Sequence, residues 1–70
     1  MQKLSEATKG RYTVKWIFTE PGLRKLLSDI RIDVGSTITV LNRSKGGGVL
    51  LRSEAGAYYV EADALWGVTV

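Results

Sequence analysis

Glu61 and Asp63 stand two residues apart, a spacing that lets carboxylates share a face, as a general acid–base pair or a Mg²⁺ site requires. No third ligand accompanies them, and they read as solvated acids. Ser44-Lys45-Gly46-Gly47-Gly48 has the glycine content of a phosphate cradle. It lacks the Gly-x-x-x-x-Gly-Lys-Ser/Thr spacing, and a strand follows where a phosphate-binding loop has a helix. A flexible hairpin loop is the better reading. The chain contains no cysteine and no histidine, so thiolate and imidazole ligands are absent and Ser-His and Cys-His nucleophile pairs are excluded. No residue is assigned to catalysis, to a metal or to a cofactor. The chain reads as a non-enzyme.

Charge and aromatic residues remain as the means of recognition. The 70 residues carry ten Lys and Arg against seven Asp and Glu, net +3. All of that excess lies in residues 1–35, where Lys3, Lys9, Arg11, Lys15, Arg24, Lys25 and Arg31 face four acids. In the second half, Arg43, Lys45 and Arg52 fall in a stretch without acids, ahead of Glu54, Glu61 and Asp63. A mild positive field suits an acidic partner surface or a nucleic acid, and it also serves solubility. Tyr12, Trp16 and Phe18 among Arg11 and Lys15 could stack on single-stranded bases, as small β-barrels do. The stereotyped basic-aromatic runs of RNA-binding modules are missing, so no DNA or RNA partner is expected and nucleic-acid binding stands as the alternative.

A chain of this length makes one domain, residues 1–70, around a single small core. Its apolar runs of three to five residues are far short of a membrane span, and its first residues lack the apolar stretch of an export signal. With no cysteine to mark an oxidising compartment, a reducing cytoplasm fits best. Any membrane association is expected to run through a partner.

Which elements hold these side chains follows from periodicity. Residues 11–18, Arg-Tyr-Thr-Val-Lys-Trp-Ile-Phe, are rich in β-branched and aromatic types and form the first strand. Strict alternation puts Tyr12, Val14, Trp16 and Phe18 on one face and strands Ile17 on the other, a conflict that a bulge would resolve. Leu23, Leu26, Leu27 and Ile30 then make one apolar stripe on a short helix, with Pro21 in its first turn and Arg24, Lys25 and Ser28 opposite. Strands follow at 37–41, 49–53 and 57–61, then one helical turn at 62–65 and a closing strand at 67–70. About five strands separated by tight turns argue for a small antiparallel barrel, mainly β, with one short helix inserted after the first strand. Val14, Ile38, Val40, Leu51 and Val68 are the expected sheet side of its core.

The succession Leu4-Ser5-Glu6, Gly10, a strand through Val14 and Ile17, Leu23 to Ile30, Gly35 and Ile38-Thr39-Val40, continued by Gly56, Tyr58-Tyr59-Val60 and Val68-Thr69-Val70, resembles the ferrous iron transport protein A (FeoA) family. The resemblance runs over essentially the whole chain. It implies an SH3-like barrel and a cytoplasmic accessory role in ferrous iron uptake. The implied partner is the membrane permease FeoB, which carries a cytoplasmic GTP-binding domain. The chain departs from the family pattern in three places. Ile30-Arg31-Ile32 replaces a glycine-containing segment after the helix, Val34 replaces a proline, and Trp16 and Phe18 stand where small or polar residues are usual.

Those departures point to a docking surface. Two basic surfaces compete: the helix face of Arg24, Lys25 and Arg31, and the glycine loop with Arg43, Lys45 and Arg52. A groove between the first-strand insertion and the following loop would draw on both. Under a bulged register Trp16 and Phe18 point outward as apolar anchors, with Arg24 and Lys25 as a charged rim. If simple alternation holds, both aromatics are core.

Overall fold

The computed structural model describes residues 2–70. The first apolar segment does not run as one strand. Gly10–Thr13 (β1) pairs antiparallel with Thr37–Arg43 (β3), while Trp16–Ile17 (β2) pairs antiparallel with Val68–Thr69 (β6). Between them the chain changes partner. The Val14 amide donates to the Ser36 carbonyl at 2.8 Å, and the next amide, Lys15, donates to the Thr69 carbonyl at 2.8 Å. This switch inverts the side-chain parity. Val14 and Ile17 are both buried although three residues apart, which a continuous strand with period two does not allow. The expected strand 11–18 is therefore corrected to two strands in two sheets, and the switch does the work assigned to a bulge.

Val49–Ser53 (β4) and Gly56–Val60 (β5) complete a four-stranded sheet in the order β1-β3-β4-β5, and β2 and β6 make a second, two-stranded sheet. A register shift between Val40 and Asn42 marks an irregularity in β3. The molecule is mainly β, with six strands among the described residues. A closed barrel of about five strands is not what forms: among the described residues no ladder joins β5 to the smaller sheet. The two sheets instead enclose one core. Val14, Ile38, Val40, Leu51 and Val68 are buried in it as expected, joined by Leu4, Ala7, Ile17, Ile32, Val49, Val60, Leu65 and Val70.

Pro21–Asp29 (α1) is the inserted helix, with Pro21 at its start, where a missing N–H costs no hydrogen bond. Its buried side is narrower than the stripe read from the sequence. Leu27 is buried and Leu23 and Ile30 half-buried, but Leu26 is 62% exposed. Arg31 sits at φ 63°. Its amide donates to the Ser28 carbonyl at 2.9 Å, and the Ile32 amide donates to the Leu27 carbonyl at 2.8 Å. That pair of bonds is the Schellman closure, usually built on glycine. It turns the chain back after the last turn, and Ile32, outside the expected stripe, is fully buried. Ser53 Oγ donates to the Ile30 carbonyl at 2.6 Å and so satisfies one of the free carbonyls that every helix end leaves.

Ala62–Leu65 (α2) is a single helical turn, and a 3₁₀ turn at Leu4–Glu6 precedes β1. The amide of Gln2 donates to the Val70 carbonyl at 2.9 Å and the Val70 amide donates back at 2.8 Å. The lead-in segment thus lies against β6.

Candidate docking face

The two-residue strand β2 and its continuation carry the two aromatics expected as anchors, Trp16 and Phe18. Ile17 fills the core, so its neighbours on either side must point out. Trp16 is 61% and Phe18 70% exposed. The alternative in which both aromatics are core is overturned by this inversion of parity. The Phe18 amide donates to the Gly67 carbonyl at 2.8 Å, and Gly67 itself faces the Phe18 carbonyl so closely that a Cβ there would overlap it. Residue 67 must be glycine for β2 and β6 to meet. The same contact brings Trp66, 55% exposed, to Phe18. Together with Thr19 and Glu20 they line a cleft of about 290 Å³ at the start of α1. The Thr19 hydroxyl is buried and has no hydrogen-bond partner among the described residues.

The basic residues are spread more widely than one groove. Arg24, in the first turns of α1, is tied to the aromatic strand through a 3.2 Å bond from Nη1 to the Ile17 carbonyl. Lys25 and Leu26 follow, exposed on the same helix. Arg31 is exposed at the far end, in the left-handed cap. Lys45 is exposed in the glycine loop. Two further clefts lie beside that loop, and Tyr59 lines both. Neither includes Trp16, Phe18 or any residue of α1. The structure thus joins Phe18 to Trp66, and Arg24 to the strand of Trp16, and it does not gather Lys45 into their cleft.

The glycine segment is a hydrogen-bonded hairpin loop, as expected, rather than a phosphate cradle. The Ser44 amide donates to the Gly48 carbonyl at 2.9 Å, the Gly47 amide to the Ser44 carbonyl at 3.1 Å, and β4 follows directly. Ser44 Oγ and the Tyr59 hydroxyl share a hydrogen bond of 2.9 Å across the loop. Glu61 and Asp63 are exposed beside this loop. Among the described residues no three acidic side chains converge as a metal site needs.

The sequence did not single out Trp66 or Glu20, which line this cleft, and it placed Leu26, here exposed, in the core. Trp66 was legible in part: a helical turn that sends Leu65 into the core presents the next large side chain roughly a quarter-turn away. Its meeting with Phe18 was not, since 48 positions of chain separate them. Among the described residues no helix is long and apolar enough to cross a membrane.

No protein-family model matches the chain, and no curated protein does. Among solved structures, it is similar to the solution NMR structure of FeoA protein from Chlorobium tepidum, with a TM-score of 0.83 and 24% sequence identity. The alignment covers 97% of this chain and 67% of that one. From the 3₁₀ turn to β6, this chain is built on the FeoA fold.

Proposed function

We propose that this protein is a non-catalytic, cytoplasmic accessory component of ferrous iron uptake that docks on the cytoplasmic region of a FeoB-type permease. The observation that carries the reading is the similarity to FeoA over 97% of the chain, on top of the resemblance in the order of sequence segments. We read the two sheets as an SH3-like barrel left open between them. Binding, not chemistry, is the task this surface suits. Exposed Trp16, Phe18, Leu26 and Trp66 supply apolar contact beside Arg24 and Lys25. Such interfaces gain affinity from a few aromatic or arginine anchors, with rim charges governing encounter. Arg31 and Lys45 contribute as outlying charges. Iron in this reading is the cargo of the partner and needs no site here.

The test is capture of the permease's cytoplasmic region by the immobilised chain, with and without guanine nucleotide. Saturable binding that Phe18→Ala weakens about thirtyfold or more, the scale of an interface hot spot, supports the reading. Absence of binding in both nucleotide states overturns it. So does tight binding of an oligonucleotide whose affinity falls steeply with salt, the signature of phosphate neutralisation.

A further inference from the structure

The cleft between Phe18 and Trp66, about 290 Å³ in volume, is lined almost throughout by apolar surface. The Thr19 hydroxyl is buried and presents no polar group to a guest. Charge lies beside the cleft rather than in its walls. Arg24 stands one helical turn beyond Glu20, its amide donating to the Glu20 carbonyl at 2.8 Å. Its guanidinium donates to the carbonyl of Ile17, the residue before Phe18, and that single bond leaves its charge and its other N–H groups available. Lys25 follows it, exposed, and Lys15 is exposed next to Trp16. Residues 15–26 thus hold three bases against one acid, Glu20. Glu61 and Asp63, the acids nearest Trp66 in sequence, line a different cleft beside the glycine loop.

We propose that this cleft takes one large apolar side chain, of about the size of leucine, from a segment of the partner protein that carries acids on either side of it. The volume is at the lower limit for small-molecule pockets and suits a single side chain. Apolar walls gain by covering methyl and methylene groups and offer no hydrogen-bonding group to a polar guest. Carboxylates flanking the guest meet the field of Arg24, Lys25 and Lys15, and bases in their place are repelled by it. This division of labour is the usual one at an interface, an apolar anchor in a pocket for affinity and rim charges for encounter and register. The proposal rests on the docking-face reading above and adds to it what the partner must present, an acid–apolar–acid sequence.

The experiment uses the full chain and four capped tripeptides, Glu-Leu-Glu, Gln-Leu-Gln, Lys-Leu-Lys and Glu-Ala-Glu, titrated by NMR at low salt. The indole resonance of Trp66 is assigned with Trp66→Phe and separated from that of Trp16. Saturable shifts of the Trp66 indole and of the Phe18 to Glu20 amides are expected with Glu-Leu-Glu. Glu-Ala-Glu should bind about fivefold to tenfold more weakly, the effect of half-covering the carbons that leucine adds. Gln-Leu-Gln should bind about threefold to tenfold more weakly, the scale of two exposed ion pairs, and Lys-Leu-Lys more weakly still. Arg24→Gln combined with Lys25→Gln should reduce the preference for Glu-Leu-Glu over Gln-Leu-Gln about twofold or more. The preference for leucine over alanine should survive in that variant, which shows that the cleft itself is intact. Equal binding of the leucine and alanine peptides overturns the proposal, as does Lys-Leu-Lys binding as tightly as Glu-Leu-Glu. An acid preference unchanged in the double variant, or no shift at these residues with any peptide, also overturns it. Because the probes are peptides, such a failure is distinct from failure to capture the permease, which would strike the docking reading itself.

Discussion

Arg31 shows a single side chain bearing a backbone conformation that does not suit it. At φ 63° an L-residue is about 1–2 kcal/mol worse off than in the right-handed region. The Schellman closure holds it there because two hydrogen bonds and the burial of Ile32 depend on that turn. Glycine relieves the strain but loses more backbone freedom on folding, about 0.5–1 kcal/mol. Arg31→Gly should therefore stabilise the fold by about 0.5–1 kcal/mol, read as a rise of about 2–8 °C in melting temperature. A fall in melting temperature would show that the arginine side chain contributes more than its backbone costs. Trp16 makes the opposite case, a large apolar residue that the fold barely uses. With 61% of its surface exposed, Trp16→Ala should change stability by about 1 kcal/mol or less, far below the ~3–5 kcal/mol for a buried tryptophan. Thermal melts of the two proteins decide this, and a loss on the buried scale would remove Trp16 from the docking face.

Among the elements, α1 and the β2–β6 pair carry the proposed docking face and have the least support of their own. A helix of nine residues is marginal in isolation, so α1 depends on its contact with the core. Leu27 makes that contact and Leu26 does not. Leu27→Asp buries an unpaired charge and should abolish the cooperative melt, whereas Leu26→Asp should stay within about 0.5 kcal/mol of the parent, as exposed substitutions do. Equal effects of the two would mean that the helix docks on a different face. The β2–β6 ladder holds only two residue pairs, and Gly67 permits its close approach. Gly67→Ala sets a methyl group against the Phe18 carbonyl. It should cost about 3 kcal/mol or more, at or above the upper end of overpacking because the clash is with backbone, and should shift the Phe18 and Trp66 resonances more than those of β4. Unperturbed Phe18 signals would refute this account of the residue.

Across the whole molecule, stability depends on contacts between distant parts of the chain. β6 pairs with β2, its neighbour Val70 exchanges hydrogen bonds with Gln2, and Val68 and Val70 are buried. Ending the chain after Gly67 would free β2, uncover the core and release the lead-in together. A 70-residue fold has only a few kcal/mol to lose, and each buried valine contributes roughly 1.5–3 kcal/mol. The truncated protein should lack a cooperative unfolding transition by calorimetry. A transition close to that of the full chain would place the essential core in the four-stranded sheet alone.

Much of this architecture was legible in local pattern. Strand β4 and the turn α2 fall where the residue types put them, as does the start of α1 at Pro21, because propensity, alternation and a proline act within a few residues. The five expected sheet-side core residues are buried for the same reason. What local pattern could not decide was partnership. Alternation along 11–18 gave conflicting faces for Ile17 and the aromatics, and the conflict disappears only when the chain leaves β3 for β6 at Val14. Leu26 fits the helical stripe as well as Leu27 does, yet only Leu27 is buried, and Ile32 beyond the closure at Arg31 joins the core. Phe18 and Trp66 are strangers in sequence and neighbours in the cleft. Residue type and spacing thus determined the elements and the absence of thiol and imidazole chemistry. Which faces met, and so which aromatics were left outside, was decided by long-range pairing and the closest packing it permits.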